Sequence, residues 1–306
     1  MNLYAYHLVG SELGLNSLTK NIKLIDKVSP TLVELKENGE LFINRPFLKN
    51  DFIDKKMIFP LIQNQSLSTE ITKKFLADKG NIKNGIDNII KFLDNYNFRG
   101  INLDIEGVKK ESKEYFNYFI EKLKIKMNKK NYLLDLSIPA KTENHSDVGW
   151  AAAYDYNFLG KLADNICIMT YDYHWAGGSP GAIAPIDWLY NVIDYVIMEI
   201  EADKVFIGLA AYGYDWLIDP QRKRAKALSY NEINNLINTY DLKREWDQES
   251  KSPYLKYKDE NGLHEIWYEN KYSLKKKIDL INEFQVAGAC LWRLGLEDQG
   301  FWQIIT

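Results

Sequence analysis

Asn102, Asp104 and Glu106 alternate with apolar residues in a short stretch that follows a helical pattern. Alternation has the period of a β-strand, so we predict that these three side chains share one face and that the apolar ones pack on the other. Two acids this close raise each other's affinity for a proton. A carboxylic acid that stays protonated near neutral pH is what cleavage of a glycosidic bond requires. The alternative interpretation is a surface strand whose polar face meets water.

Aromatic residues stand at the ends of several other apolar stretches. In one of them Met169 and Tyr171 fall on one face, and the stretch closes at Asp172 before a glycine-rich loop that contains Trp175. A concave lining of aromatic rings with a few polar groups is typical of a carbohydrate site. The alternative is that these rings fill a core and the glycines only form turns. Further aromatic residues near such ends are Tyr4, Tyr6, Tyr212, Tyr214, Trp216 and Trp292.

Short apolar stretches alternate with helical patterns over most of the sequence, which is the order of parallel strands joined by helical crossovers. About eight such units predict an α/β fold, a closed (β/α)8 TIM barrel rather than an open sheet. Functional groups of such barrels lie at the C-terminal ends of strands, where Glu106 falls. The predicted strands are 3–7, 32–35, 57–63, 100–106, 132–139, 166–171, 205–209 and 287–292, and the predicted helices are 18–27, 67–79, 82–96, 110–127, 151–162, 186–200 and 274–284.

Residues 212–269 are too many for a loop between a strand and a helix. They contain a helical pattern at 231–237 and two alternating stretches, 253–257 and 265–268, around a turn with Asn261-Gly262, which indicates a hairpin. We therefore predict one domain over residues 1–306, with a small α+β insertion at 212–269 between the seventh strand and its helix. The insertion is expected to form one wall of a cleft.

Composition excludes several classes of function. The 306 residues include 39 basic and 42 acidic ones, with no basic block, so no nucleic-acid partner is predicted. No stretch approaches the roughly eighteen apolar residues of a membrane span, so no membrane partner is predicted. Cys167 and Cys290 lie in apolar stretches and are expected to be buried free thiols. The four histidines are scattered, and neither a metal site nor another cofactor is predicted.

The stretch Arg99-Gly100-Ile101-Asn102-Leu103-Asp104-Ile105-Glu106 resembles the DGxDxDxE signature of glycoside hydrolase family 18. Met169-Thr170-Tyr171-Asp172 is similar to the MxYD of that family's sixth strand, and Trp292 is similar to the tryptophan of its eighth. Many members also carry an α+β insertion in the same place. The resemblance covers essentially the whole chain and implies a barrel glycosidase that acts on polymers containing N-acetylglucosamine.

Finer features resemble the spore cortex-lytic branch of the family, whose members are N-acetylglucosaminidases of peptidoglycan fragments. These features are Asn102 in place of an aspartate, Pro139-Ala140-Lys141, Ser179-Pro180-Gly181 and Trp292-Arg293-Leu294-Gly295-Leu296-Glu297-Asp298. The first residues carry neither the basic region nor the apolar core of a signal peptide. We therefore expect cytoplasmic synthesis with spore or cell-wall association, or a secreted chain whose signal has been removed. Members of this branch often carry LysM repeats ahead of the barrel, and this sequence contains none.

The resemblance implies a role for each site residue. Glu106 would be the general acid and then the general base, while the N-acetyl carbonyl of the substrate acts as nucleophile. Asp104 would accept the acetamido N–H, Tyr171 would donate to the acetamido carbonyl oxygen, and Trp292 would form the floor beneath the sugar. The remaining substrate-binding residues would be Asn102, Met169, Asp172, Tyr6, Tyr212, Trp175 and Arg293.

Two departures from the family signature are Asn102 and Arg99, which stand where the family has aspartates. Replacing a carboxylate by an amide removes one like charge, so Asp104 is expected to ionise more readily and the pH profile to change. The leading hypothesis is a retaining, endo- or exo-acting β-N-acetylhexosaminidase of peptidoglycan, with chitin or chitooligosaccharides as the second substrate class. A chitinase-like lectin is a third hypothesis, against which the presence of Glu106 argues. A fourth is a protein that only binds cell wall.

Overall fold

The computed structural model of the chain describes residues 1–44, 47, 53–143, 149–218 and 224–305. Its strands are β1 (Asn2–His7), β2 (Lys27–Leu35), β3 (Leu41–Ile43), β4 (Leu61–Asn64), β5 (Gly100–Asp104), β6 (Leu133–Pro139), β7 (Asn165–Met169), β8 (Val205–Ala210), β9 (Tyr212–Leu217), β10 (Lys226–Ser229), β11 (Glu245–Asp247), β12 (Ser252–Lys258), β13 (Leu263–Tyr268) and β14 (Gly288–Trp292). The α-helices are α1 (Glu12–Asn21), α2 (Thr69–Ala77), α3 (Lys79–Tyr96), α4 (Lys113–Asn128), α5 (Tyr156–Leu162), α6 (Ile186–Glu199), α7 (Tyr230–Tyr240) and α8 (Lys271–Glu283). None of the helices in these ranges combines the length and the hydropathy that crossing a membrane requires.

Eight parallel strands close into a barrel. They follow the order β1, β14, β8, β7, β6, β5, β4 and β2, and β1 pairs with β2 to complete the ring. The short strand β3 pairs antiparallel with the last three residues of β2 and is not one of these eight. The predicted (β/α)8 barrel is confirmed.

The barrel separates two apolar cores. Ile101, Leu103 and Ile105 point outward and join the large core between the strands and the surrounding helices. Cys167 and Cys290 lie inside the ring with other inward side chains, and both are buried free thiols, as the sequence predicts. The alternation predicted for β5 is therefore confirmed, since its apolar residues pack outward and leave the polar ones to the interior.

The N-terminal end of the barrel interior is filled by aromatic rings around one lysine. The Lys27 ammonium lies 2.8 Å from the buried carboxylate of Asp135. It also lies 4.2 Å from the centre of the Phe59 ring and 5.4 Å from that of Tyr4. Phe206 completes the set, edge-on to Tyr4. Ion pairing and cation–π contacts together offset the cost of placing this charge in the interior.

Several predicted boundaries are wrong, and local hydrogen bonds explain two of them. The first helix begins at Glu12 because the Ser11 side chain accepts the N–H of Gly14, and it ends at Asn21. Lys27, predicted at the end of that helix, instead begins β2. The predicted helix at 151–162 begins only at Tyr156, where the Asp155 side chain caps it. Strand β5 ends at Asp104, so Glu106 lies two residues beyond the strand in which it was predicted.

The insertion lies between β8 and α8 and forms an antiparallel five-stranded sheet in the order β10, β9, β13, β12, β11. The predicted hairpin is confirmed as β12 and β13, and the predicted helical piece as α7. A Ser229–Glu232 capping box starts α7. Strands β9, β10 and β11 were not predicted. The insertion ends at Glu269, whose buried carboxylate lies 2.6 Å from the Lys277 ammonium on α8.

Candidate active site

Asp104 and Glu106 lie at the C-terminal mouth of the barrel. Asp104 is 5% exposed, and its Oδ1 is buried without a hydrogen-bond partner among the described residues. Burial raises the pKa of Asp104 well above its ordinary value, and the negative charge of Glu106 raises it further. Burial also raises the pKa of the half-buried Glu106, with a smaller contribution from Asp172. Both shifts favour a protonated carboxyl, which is the form a general acid needs.

Asn102 and Tyr6 lie beneath this pair, inside the barrel rather than on the surface of the mouth. Asn102 Nδ2 donates to the Tyr6 hydroxyl at 3.0 Å, and Ser137 Oγ donates to Asn102 Oδ1 at 2.9 Å. The Tyr6 hydroxyl therefore donates its proton to Ser137 Oγ, 2.7 Å away. All three residues are buried, and their polar groups are satisfied by hydrogen bonds to one another.

Tyr171 lies two residues after the end of β7 and is half-buried. Burial raises the pKa of Tyr171 well above its ordinary value, with further contributions from Cys290 and Asp104, so the hydroxyl stays protonated. A Cβ on Gly208 would lie 2.9 Å from the Tyr171 ring and 2.7 Å from the carbonyl oxygen of Ile168. Glycine at 208 therefore leaves the space that the tyrosine ring occupies.

Trp292 ends β14 and packs with the aromatic residues of the mouth. Its ring stands edge-on to Tyr6 at 5.3 Å, and it joins the apolar cluster that includes Tyr171 and Tyr212. Met169 ends β7 and is half-buried. The Trp292–Arg293 peptide is cis.

Asp172 connects the barrel mouth to the insertion. Its Oδ1 accepts hydrogen bonds from the hydroxyls of Tyr212 and of Tyr214, the latter at 3.0 Å, and both tyrosines come from β9. The residue adopts a left-handed backbone with φ of +60°. Although Asp172 is exposed as a residue, its carboxyl lies among protein groups, and the loss of solvent raises its pKa despite the two tyrosine hydrogen bonds.

Trp175 lies in the loop after Asp172 and is 51% exposed. The guanidinium of Arg224 lies 5.8 Å from its ring, and the N–H of Ala225 donates to the carbonyl of Ala176 at 2.8 Å. The loop is thereby joined to the insertion.

Arg293 is half-buried, and burial lowers its pKa. It lies near His7, where burial first and the Arg293 charge second lower the pKa of the imidazole to about 4.

Three residues that sequence reasoning missed hold the backbone at Glu106. The hydroxyl of Tyr154 donates to the carbonyl of Ile105, Thr72 Oγ1 donates to the carbonyl of Glu106, and Asn64 Oδ1 accepts the Glu106 N–H. Each is a single polar side chain among otherwise ordinary neighbours, and no motif or periodicity marks it.

The sequence matches the profile of Glycosyl hydrolases family 18 over residues 64–297. Among curated proteins, the Uncharacterized glycosylase YvbX of Bacillus subtilis is 28% identical over 307 residues, covering 98% of this chain and 89% of that protein. The Cortical fragment-lytic enzyme of Bacillus anthracis is 30% identical over 253 residues, covering 82% of this chain. The chain spans only 59% of the length of that enzyme.

Solved structures of similar proteins have the same fold. The spore cortex-lytic enzyme SleL of Bacillus megaterium QM B1551 superposes with a TM-score of 0.89 at 27% identity, over 99% of this chain and 73% of that one. A chitinase of Chromobacterium violaceum ATCC 12472 superposes with a TM-score of 0.88 at 26% identity, over 99% of this chain and 97% of that one. The family profile covers most of the barrel, including both carboxylates at its mouth, and this protein belongs to glycosyl hydrolase family 18 and is a glycosidase.

Proposed function

We propose that this glycosidase cleaves the β-1,4 bond that follows N-acetylglucosamine in peptidoglycan fragments of the spore cortex, with retention of configuration. The observation that carries the proposal is the pair of acids at the barrel mouth, the half-buried Glu106 and the buried Asp104, whose Oδ1 has no partner among the described residues. Peptidoglycan is supported by the relatives named cortical fragment-lytic enzyme, which align with 82% of this chain. The same relatives support an association with the spore or cell wall.

In the proposed mechanism Glu106 donates its proton to the glycosidic oxygen as the bond to the anomeric carbon breaks. The acetamido carbonyl oxygen of the same sugar attacks that carbon and forms a cyclic oxazolinium ion. Glu106, now a carboxylate, removes a proton from water as the water opens this ring, which restores the acid. Glu106 therefore gives one proton to the leaving group in the first step and takes one from water in the second.

Asp104 and Tyr171 orient the acetamido group in this mechanism. The available Oδ1 of Asp104 accepts the acetamido N–H, and the ionised carboxylate stabilises the positive ring. As long as Glu106 carries its proton, it places no negative charge beside Asp104, and Asp104 therefore ionises more easily. The Tyr171 hydroxyl donates to the acetamido carbonyl and aims it at the anomeric carbon; such alignment can account for several kcal/mol of the barrier.

The aromatic side chains of the mouth form the proposed sugar-binding surface. Trp292 lies under the reacting sugar, while Met169, Asp172, Tyr212 and Trp175 line the cleft beside it. Asn102 and Tyr6 support the carboxylate pair from below through their closed set of hydrogen bonds. Arg293 is proposed to contact substrate from the side of the mouth near His7.

Chitooligosaccharides are the second candidate substrate. The observation in their favour is that the Chromobacterium violaceum chitinase and this chain superpose over nearly the full length of both. Mass spectrometry of the products from spore cortex fragments and from chitin oligomers decides between the two classes. Faster release of products from chitin oligomers would contradict the peptidoglycan assignment.

The test of the mechanism is Glu106→Gln. It should keep the fold and substrate binding but lower kcat on a chromogenic N-acetylglucosamine oligomer by roughly 10²–10⁴, the usual range for a general acid. The matching glucoside with a 2-hydroxyl should not be cleaved, because it lacks the internal nucleophile. Near-normal turnover by the variant, or hydrolysis of the 2-hydroxyl glucoside, would reject the mechanism.

A further inference from the structure

Three buried side chains from three separate parts of the chain hydrogen-bond the backbone on either side of Glu106. The Tyr154 hydroxyl donates to the Ile105 carbonyl at 2.7 Å, and Thr72 Oγ1 donates to the Glu106 carbonyl at 3.0 Å. Asn64 Oδ1 accepts the Glu106 N–H at 2.9 Å. Each of the three side chains belongs to a residue that is 2% exposed or less. Because a buried peptide group without a partner costs free energy, these contacts restrict where the backbone can lie.

The backbone at Glu106 has no strand or helix to hold it. Strand β5 ends at Asp104, and Gly107 turns the chain with a left-handed φ of +70°. A Cβ on Gly107 would lie 2.5 Å from Thr69 Oγ1 and 3.0 Å from Thr69 Cα, so this turn packs tightly on the first turn of α2. Side chains therefore replace the ladder hydrogen bonds that hold a residue inside a sheet.

The same residues connect Glu106 to the start of α2. Asn64 ends β4, and its Nδ2 donates to the carbonyl of Ser68, the residue that caps α2. Thr72 lies one turn into that helix. Glu106 thus shares hydrogen bonds with a neighbouring barrel strand, with the helix that follows it and, through Tyr154, with the segment before α5.

We propose that Tyr154, Thr72 and Asn64 are positioning residues, which fix the peptide groups flanking Glu106 and thereby the place of its carboxyl at the mouth. The inference rests on the proposed role of Glu106 as the general acid. The three residues act through the backbone of Glu106. A displacement of a reacting group by about 1 Å can lower a rate by roughly 10²-fold, so loss of one such contact should be visible in turnover.

The matched control for Tyr154→Phe is Tyr156→Phe. Tyr156 is also buried, and its hydroxyl donates to the carbonyl of Pro139 at 2.6 Å, at the end of the neighbouring strand β6. Both phenylalanine variants remove one buried hydroxyl from a carbonyl at, or one residue beyond, the end of a barrel strand, so both should lose similar thermal stability. Only Tyr154→Phe should lower kcat, by roughly 10- to 100-fold, with KM changed less than about twofold.

Thr72 offers a second pair of variants. Thr72→Val keeps the shape of the side chain and removes the hydroxyl, whereas Thr72→Ser keeps the hydroxyl and should retain turnover. A looser Glu106 carboxyl gains contact with water, so its raised pKa should fall toward the ordinary value. The basic limb of kcat/KM should therefore move to lower pH in Thr72→Val and Tyr154→Phe, but not in Thr72→Ser or Tyr156→Phe.

Equal kcat and equal pH profiles for Tyr154→Phe and Tyr156→Phe would overturn the inference, as would equal values for Thr72→Val and Thr72→Ser. If Tyr154→Phe fails to fold, the Thr72 pair decides alone. The Glu106→Gln variant distinguishes failure of the positioning role from failure of the proposed function. Loss of turnover in Glu106→Gln, without any difference inside either pair, rejects the positioning role and leaves the general acid in place.

Discussion

At the scale of single residues, Asp104 combines deep burial with an oxygen that nothing in the described chain satisfies. Its raised pKa means that folding favours the protonated acid. The folded state is then fully favoured below the ordinary pKa of an aspartate, and this advantage is lost as pH rises through the folded-state pKa. Near neutral pH, the Asp104 carboxyl therefore lowers the free energy of unfolding of the protein.

We expect Asp104→Asn to unfold at a higher temperature than the native protein near neutral pH while it loses turnover. The gain in the free energy of unfolding is about 1.4 kcal/mol for each unit by which burial and Glu106 raise the pKa. The gain should shrink to nothing below about pH 4, where the acid is protonated in both states. Thermal melts across the acidic and neutral range measure it.

The control for that experiment is Asp94→Asn. Asp94 is exposed, and its hydrogen bond from Lys130 lowers its pKa, so its shift has the opposite sign. This control should bring no gain at neutral pH. A pH-independent difference between Asp104→Asn and the native protein would refute the linkage.

Asp172 acts on Glu106 through its charge. Burial is the larger cause of the raised Glu106 pKa, and the negative Asp172 is the second. Asp172→Asn removes that charge, so Glu106 should lose its proton more easily and the basic limb of kcat/KM should move to lower pH. Initial rates across pH on a chromogenic substrate measure the shift. An unmoved limb would show that Asp172 does not influence the acid.

At the scale of elements, the lack of a side chain at Gly208 determines where the Tyr171 ring can lie. Gly208→Ala on β8 would place a Cβ 2.7 Å from a backbone carbonyl and 2.9 Å from the Tyr171 ring. We expect a loss of about 1–3 kcal/mol in stability and a lower kcat, because the ring must move. Gly160→Ala on α5 is the control, since the three atoms nearest its Cβ would all belong to the Ile200 side chain, the first at 3.0 Å. Unchanged kcat in Gly208→Ala would contradict this role.

Sequence patterns predicted the elements better than their ends. The alternation in β5 was sufficient to place Asn102 and Asp104 on one side, because period two leaves no choice of face within the strand. The start of β2 was missed because Pro30, which ordinarily interrupts a strand, lies inside it. The residues around Glu106 could not be found, since Tyr154 and Thr72 lie 49 and 34 positions from their bonding partners. Only the folded chain brings such single polar residues together.

At the scale of the whole molecule, one buried ion pair secures the insertion to the barrel. Lys277 on α8 lies 2.7 and 2.6 Å from the two carboxylate oxygens of Glu269, where the insertion ends. Both side chains are almost fully buried. The Glu269 N–H also donates to the carbonyl of Tyr212, where the insertion begins. The two ends of the insertion therefore meet beside the cleft.

Lys277→Met should lower the free energy of unfolding by about 3–5 kcal/mol, because it leaves the Glu269 charge buried without a partner. The double variant Lys277→Met/Glu269→Leu should recover most of that loss, since neither charge of the pair remains. Urea denaturation of the single and double variants measures both values. A double variant as unstable as the single one would show that packing, not charge, makes Lys277 important.

The lysine and aromatic rings that fill the N-terminal end of the barrel affect the route by which protons reach the carboxyls at the mouth. Tyr4, Phe59 and Phe206, which surround Lys27, are each 4% exposed or less and leave little room for water to enter the barrel interior from the far side of the molecule. Protons therefore enter and leave the carboxyls at the mouth through the cleft. A long glycan lying over the cleft would then insulate them from bulk water, so their protonation is set before the sugar chain docks.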